Sequence, residues 1–376
     1  MTLPRTPLEP GQLGADAQRA LGSPAARMLA ARGLVPVQRP RDLLGLLYQL
    51  GFDQDLRLRE MALESVRKLP EAVMRGGLSD PDIDARVLDF FSWALGGAPG
   101  AEAATDLVLR NPAIADETVV ALAGRASQNE IDLIAVNEER LLRCPAIISA
   151  MYGNRLARMS TVDRVIELAV RNGVRVGGIT AWEEICKVYA HGSDRGGVSD
   201  EDMDALFARA ARLGPEHEGE RGGEIVEVDP DAPPPTPEPT ESREIWALPV
   251  PMKIRLAILG NAFDRAILIR DPKKVVAIAA VKSPGMTDAE IAKYAGLSTL
   301  AEEVIGYIAN RRDWTKLYNV KLSLVNNPKC PLGMAMRLLP FLREKDVEAL
   351  ARSRGIPSAL SAQARKLTTQ RSTGKR

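Results

Sequence analysis

A chain of 376 residues with 45% apolar and only 4% aromatic side chains can bury a substantial core, and its Ala, Leu, Val, Ile and Met content suits helix on helix better than a large β-sandwich. Cys144, Cys186 and Cys330 are odd in number and far apart, which argues against a disulfide framework and for a reducing compartment. The net charge of +1 hides an asymmetry: residues 252–376 hold 23 Lys and Arg against 10 Asp and Glu (+13), and the remainder holds 27 against 39 (−12).

The first residues, MTLPRTPLEPGQLGA, carry one early Arg among Pro and Gly and no apolar stretch of signal-peptide length, so residues 1–15 are expected to be mobile. No run approaches the roughly 18 apolar residues of a membrane span, and the expectation is a cytoplasmic protein. The Ala, Arg, Leu and Gly bias suggests a GC-rich bacterial genome.

From residue 16 onward one phrase recurs: an X-Pro step, a few turn residues and an apolar helical run. With Pro81, Pro112, Pro284 and Pro328 as position zero, position +2 is Ile83, Ile114, Met286 and Cys330. Position +7 is Leu88, Val119, Ile291 and Ala335, and position +10 is Phe91, Leu122, Tyr294 and Leu338. Such spacing marks one helical face. Pro145 and Pro357 open looser copies, and Gly173 stands in the proline's place in RNGVRVGGITAWEEICKVYA. Adjacent copies lie 31, 33, 44 and 29 residues apart, the length of a helix pair. Proline removes an N–H and biases the preceding residue away from the α region, so the phrase reads as a corner between helices. Thr287 and Glu290 have capping-box spacing, and Pro331 suits a first helical turn. In LAEEVIGYIAN, the residues Leu300, Val304, Ile305 and Ile308 form a helical stripe.

Residues 214–251 include GPEHEGERGGEIVEVDPDAPPPTPEPTESREI, acidic, Pro-rich and nearly devoid of large apolar side chains, and read as a disordered linker. The expected fold is therefore all-α: two α-solenoid arrays of helix-pair repeats, residues 16–213 and 252–368, joined by that linker, with a disordered tail at 369–376. LGSPAARMLAARG at 21–33 also aligns without gaps with LGNAFDRAILIRD at 259–271, placing Arg27 over Arg265 and Arg32 over Arg270.

On these motifs the chain resembles the α-solenoid repeat families, HEAT-like repeats and the leucine-rich repeat variant, whose units are helix pairs punctuated by Asn-Pro or similar corners. Its C-terminal part also resembles an uncharacterised bacterial family of such repeats. The resemblance implies a scaffold-like role and carries no catalytic residue.

Chemistry-bearing motifs are scarce. His191 and His217 lack Cys or Asp at metal-ligand spacing, and no phosphate loop, dinucleotide fingerprint or nucleophile elbow is present. Asp80, Asp82 and Asp84 imitate a calcium loop, but Ala85 and Phe91 stand where Gly and Glu are needed, so they read as first-turn acids. Cys330 and Cys144 each precede a proline and read as small packed hydrophobes. No metal, cofactor or enzymatic role is expected.

The richest local cluster is NRRDWTKLYNVKLSLVNNPK, where Arg311, Arg312, Lys316, Lys321 and Lys329 surround Trp314 and Tyr318, with Lys273, Lys274 and Lys282 upstream. Cations alternating with flat rings suit an anionic partner. Against this, Trp314 and Tyr318 are four apart and read as core on one helix, with Asp313 neutralising one Arg. Two functions remain: a non-enzymatic scaffold binding protein partners along helical-repeat surfaces, and a nucleic-acid or other anion binder using the basic array.

Overall fold

A computed structural model describes residues 3–96, 101–190, 199, 201–202, 204–205, 245–353 and 355–373. Every regular element among them is a helix, in two compact units, residues 1–177 and 178–376. The acidic linker lies outside the described residues up to residue 244, as do both histidines; from Ile245 onward the chain is helical or turning, and Ile245, Leu248 and Val250 are buried.

The first unit holds α1 (Ala15–Leu21), α2 (Pro24–Ala31), α3 (Pro40–Leu50), α4 (Leu56–Arg67), α5 (Glu71–Leu78), α6 (Ala85–Ala94), α7 (Ala101–Arg110), α8 (Asp116–Ala123), α9 (Gln128–Ala135), α10 (Glu138–Arg143), α11 (Pro145–Gly153) and α12 (Met159–Arg171). They stack in two rows. Helices α3, α5, α7, α9 and α12 pack in succession on one side, and α2, α4, α6, α8 and α11 on the other. Each helix buries one apolar stripe against its row and its partner. Ile83, Leu88, Phe91, Ile114, Val119 and Leu122, the aligned positions of two copies, are all buried.

The second unit holds α13 (Trp182–Ala190), α14 (Val250–Leu259), α15 (Ala262–Leu268), α16 (Lys274–Val281), α17 (Asp288–Gly296), α18 (Glu302–Asn310), α19 (Arg312–Thr315), α20 (Tyr318–Asn326), α21 (Leu332–Leu338), a 3-10 turn (Leu339–Phe341), α22 (Glu344–Arg352) and α23 (Ser358–Thr373). Here α14, α16 and α18 pack in one row, α17 packs on α20, and α21 and α22 pack on α23. The extra short helix α19 explains why Pro284 and Pro328 are further apart than other corner prolines.

What makes a corner is more specific than proline. Asn111, Asn154 and Asn327, each buried, accept the N–H two residues on, from Ala113, Leu156 and Lys329, at 2.8, 2.9 and 2.9 Å. Their Nδ2 groups reach back about one helix pair: Asn111 to the Leu78 and Asp80 carbonyls, Asn154 to those of Ala123 and Ala126, and Asn327 to those of Ala295 and Leu297. An Asx turn thus ends one helix while its amide satisfies orphan carbonyls at the end of an earlier one. Asp53, Asp80 and Asp271 make the same local turn without the amide. Ser283 substitutes a hydroxyl, donating to the Ile258 carbonyl at 3.2 Å. Seven residues after the corner, Thr118 and Thr161 bond Asp89 and Asp132, and Glu290 pairs with Arg265. In each case one buried or half-buried polar link crosses to the previous pair.

Several expectations are corrected. Residues 3–14 are not a loose terminus: Leu8 and Leu13 are buried in the first unit, and Tyr48 Oη donates to the Thr6 carbonyl at 2.7 Å. The expected tail is helical over residues 369–373, where α23 continues to Thr373. Helix α13, counted by sequence with the first array, packs on α14 and α16, and Glu184 on it pairs with Lys282 at 3.0 Å. Linker composition set that expected boundary, whereas the contact surface of α13 sets the observed one. Pro145 opens α11 at its first residue and is no corner; the corner of that copy is Asn154. Gly173 has φ 65°, the left-handed conformation that closes α12, and Asn172 bonds back within its own helix to the Leu168 carbonyl. Trp314 and Tyr318 fall on different helices, α19 and α20.

The alignment of 21–33 with 259–271 is matched in three dimensions. Ser23 and Asn261 cap α2 and α15, and Arg27 and Arg265 pair with Asp53 and Glu290, 26 and 25 residues on, at 3.0 Å each.

Candidate anionic-partner face

Helix α18 ends and α19 begins at Arg311, whose extended backbone (φ −82°, ψ 111°) caps both. The sharp junction presents its guanidinium back toward Tyr307, one turn earlier. Arg311 Nε and Nη2 donate to Tyr307 Oη at 3.1 and 2.7 Å, and its Cζ lies 5.3 Å from the Tyr307 ring centre and 5.7 Å from that of Trp314. The two rings meet edge to face at 5.9 Å. From α16's C-terminal end, Lys282 Nζ approaches the Tyr307 ring at 5.6 Å while pairing with buried Glu184. Lys282, Tyr307, Arg311 and Trp314 therefore form one cluster, and its cations gain roughly 0.5–1 kcal/mol per exposed ring contact.

The other sequence candidates divide by how their charge is used. Lys274 pairs with Glu303, and Lys316 with Asp313 at 2.8 Å; both pairs are solvent-exposed. Lys329 Nζ donates to the Leu300 carbonyl at 2.6 Å, so it serves the corner of its own copy. Lys321 lies 5.8 Å from the ring of Phe341, in a second group where Arg343 covers Tyr318 at 4.5 Å and Tyr318 Oη bonds Asp346. Lys273 is exposed at the start of α16 and Arg312 at the start of α19. Among the described residues, Lys273, Arg311, Arg312 and Lys321 have no acidic side chain within ion-pair distance. The structure thus brings Lys282, Arg311 and Trp314 together and leaves Lys321 to a separate group.

Sequence reasoning missed Tyr307, Glu184 and Arg343. Tyr307 was legible, since a residue four before Arg311 shares its helical face. Glu184 was not, because it is 98 residues from Lys282. Burial pushes the Cys330 thiol up to about 11 and also raises that of Cys186, which disfavours the reactive thiolate at both. Asp80 and Asp82 both pair with Arg41, at 3.0 and 2.7 Å, and Asp84 caps α6. No group of three or more metal-ligating side chains occurs among the described residues, and no described helix is long and apolar enough to cross a membrane.

Fold and face together define an all-α protein of stacked helix pairs whose second unit carries a basic, aromatic cluster. Comparison with family models, with curated proteins and with solved structures finds no match for this chain.

Proposed function

We propose that this chain is a non-enzymatic scaffold of HEAT-like character that binds partner proteins along its helical-repeat surfaces. The carrying observation is the amide ladder of Asn111, Asn154 and Asn327, which spends polar side chains on stacking successive pairs and leaves the outer helix faces for contact. Affinity capture by the full-length chain from native lysate, at low and moderate salt, with and without nuclease, tests it. Proteins retained at moderate salt and indifferent to nuclease support the scaffold reading; none retained in either condition rejects it.

A second reading, recognition of nucleic acid or another polyanion, draws on Arg311 and Arg312, which precede Trp314 and have no acidic side chain within ion-pair distance among the described residues. Lys316 adds charge, its exposed pair with Asp313 being weak and screened. Binding of a single-stranded oligonucleotide should then fall steeply with salt, and Arg311→Ala/Arg312→Ala should flatten the slope by about 1 to 2 units. Equal slopes for both chains would reject it.

A further inference from the structure

The N-terminal segment 3–9 lies across α3 and α6 as an extended chain, and its contacts are those of a docked peptide. Its polar backbone groups are met by side chains: Tyr48 Oη donates to the Thr6 carbonyl at 2.7 Å, Arg86 Nη1 to the Pro7 carbonyl at 3.2 Å, and the Leu8 N–H donates to Gln49 Oε1 at 2.7 Å. Arg86 also donates to Thr6 Oγ1 at 3.1 Å. Pro4, Pro7 and Pro10 supply every third residue and have no N–H to satisfy. Glu9 has φ −71° and ψ 149°, the polyproline II conformation.

A chain in that conformation has three residues per turn, which would put Arg5 and Leu8 on one side. Arg5 lies 4.0 Å above the exposed ring of Trp93, and Leu8 is buried. The floor is aromatic: Tyr48 meets Phe90 edge to face at 5.5 Å, and Phe90 lies 6.2 Å from Trp93. Leu8 and Leu13 close over Gly45, beside a cavity of about 360 Å³ whose walls carry Arg41, Asp42 and Asp84 as well as Ile83 and Val87.

We infer that this face of the first unit is a docking site for an extended, proline-flanked partner segment of the type Pro-Arg-x-Pro-Leu, and that residues 4–8 are its resident competitor. An aromatic-lined groove that reads backbone groups, with one cation seat and one leucine pocket, fits a polyproline II ligand whatever chain supplies it. The resident hold is modest. Pro4, Arg5, Thr6 and Pro7 are exposed, and Leu8 is the one buried side chain of residues 4–8. A tethered segment still competes at the high effective concentration of a short linker. This deepens the scaffold reading by naming a face and a partner chemistry. Because its test uses a defined peptide, it can fail while capture by the whole chain succeeds, and the reverse.

The probe is a fluorescein-labelled peptide of residues 3–13, LPRTPLEPGQL, titrated by anisotropy into the intact chain and into a chain lacking residues 3–9. The shortened chain should bind at least tenfold more tightly than the intact one, and Arg86→Ala or Trp93→Ala in it should each lose fivefold or more. A control peptide of residues 232–240, with the prolines but neither Arg nor Leu, should bind at least tenfold more weakly than the probe. Should the shortened chain lose its helical circular dichroism, the full-length Leu8→Ser chain replaces it with the same readings. Equal binding to the opened and intact chains overturns the inference, as does equal binding of the two peptides. A dimer of the intact chain in sedimentation, abolished by removing residues 3–9, would assign the face to a second copy and overturn it too.

Discussion

Replacing Asn327 by Ala removes the amide that joins one helix pair to the previous one. Asn327 is 3% exposed, donates to the Ala295 carbonyl at 2.8 Å and the Leu297 carbonyl at 3.2 Å, and accepts the Lys329 N–H at 2.9 Å. Ala295 is buried near the end of α17, where its carbonyl has no intrahelical partner, whereas Leu297 is half-buried and water can reach it. A buried acceptor left unsatisfied costs about 1–3 kcal/mol, and each of the other two bonds contributes about 0.5–1.5 kcal/mol net, so the loss should be roughly 2–6 kcal/mol. Asn327→Asp is the sharper perturbation. Its carboxylate keeps the local turn to Lys329 but faces two carbonyls as an acceptor, so it should be no more stable than Asn327→Ala. Pro328→Ala, by contrast, changes mainly the unfolded chain and should cost no more than about 1 kcal/mol. Urea unfolding followed at 222 nm measures all three. An Asn327→Asp chain as stable as wild type, or a Pro328→Ala chain that loses more than Asn327→Ala, would refute the claim that the amide makes the corner.

Glu290→Ala strands Arg265, whose side chain is 6% exposed and is held by Glu290 at 3.0 Å, and should destabilise by about 3–5 kcal/mol; Arg265→Met/Glu290→Leu should cost clearly less, as urea unfolding would show. Stability should also fall with acid through Asp53. Its carboxylate is held below the ordinary range first by the Asp55 N–H and then, against the penalty of burial, by Arg27. A lowered folded value stabilises above the unfolded pKa of about 3.9, and that contribution is lost as pH falls through the lower folded value. Asp53→Asn should therefore flatten the stability profile below about pH 5, and an unchanged slope would count against the pair.

The all-helical class was legible from local pattern. Ile291, Tyr294, Val304, Ile305 and Ile308 recur at helical spacing, and each faces the core because a 3.6-residue period offers only one continuous stripe. The Thr287 and Glu290 capping box was equally legible, since all its partners lie within four residues. Corners were half legible. Proline marks were visible, but the deciding atom is an Asn Nδ2 whose acceptors lie about 30 residues back, and proline alone misplaced the copy at Pro145.

The candidate face divided along the same line. Arg311, Arg312 and Trp314 could be grouped from the chain because they are neighbours in it. That Lys329 serves a corner carbonyl, that Lys282 is held by Glu184, and that Tyr307 lies under Arg311 depend on which helices pack together. The N-terminal segment makes the contrast plainest. Its composition predicts a loose end, because a short run with few apolar side chains cannot form a core of its own. Their order comes from a groove supplied by Tyr48, Gln49, Arg86 and Trp93, residues brought together only when α3 and α6 pack. Short-range periodicity and capping are properties of a few consecutive residues and survive in any one sequence. Partner choice for a charge, a carbonyl or a strap is settled by burial against distant elements, where an unmatched polar group costs more than any local preference can return.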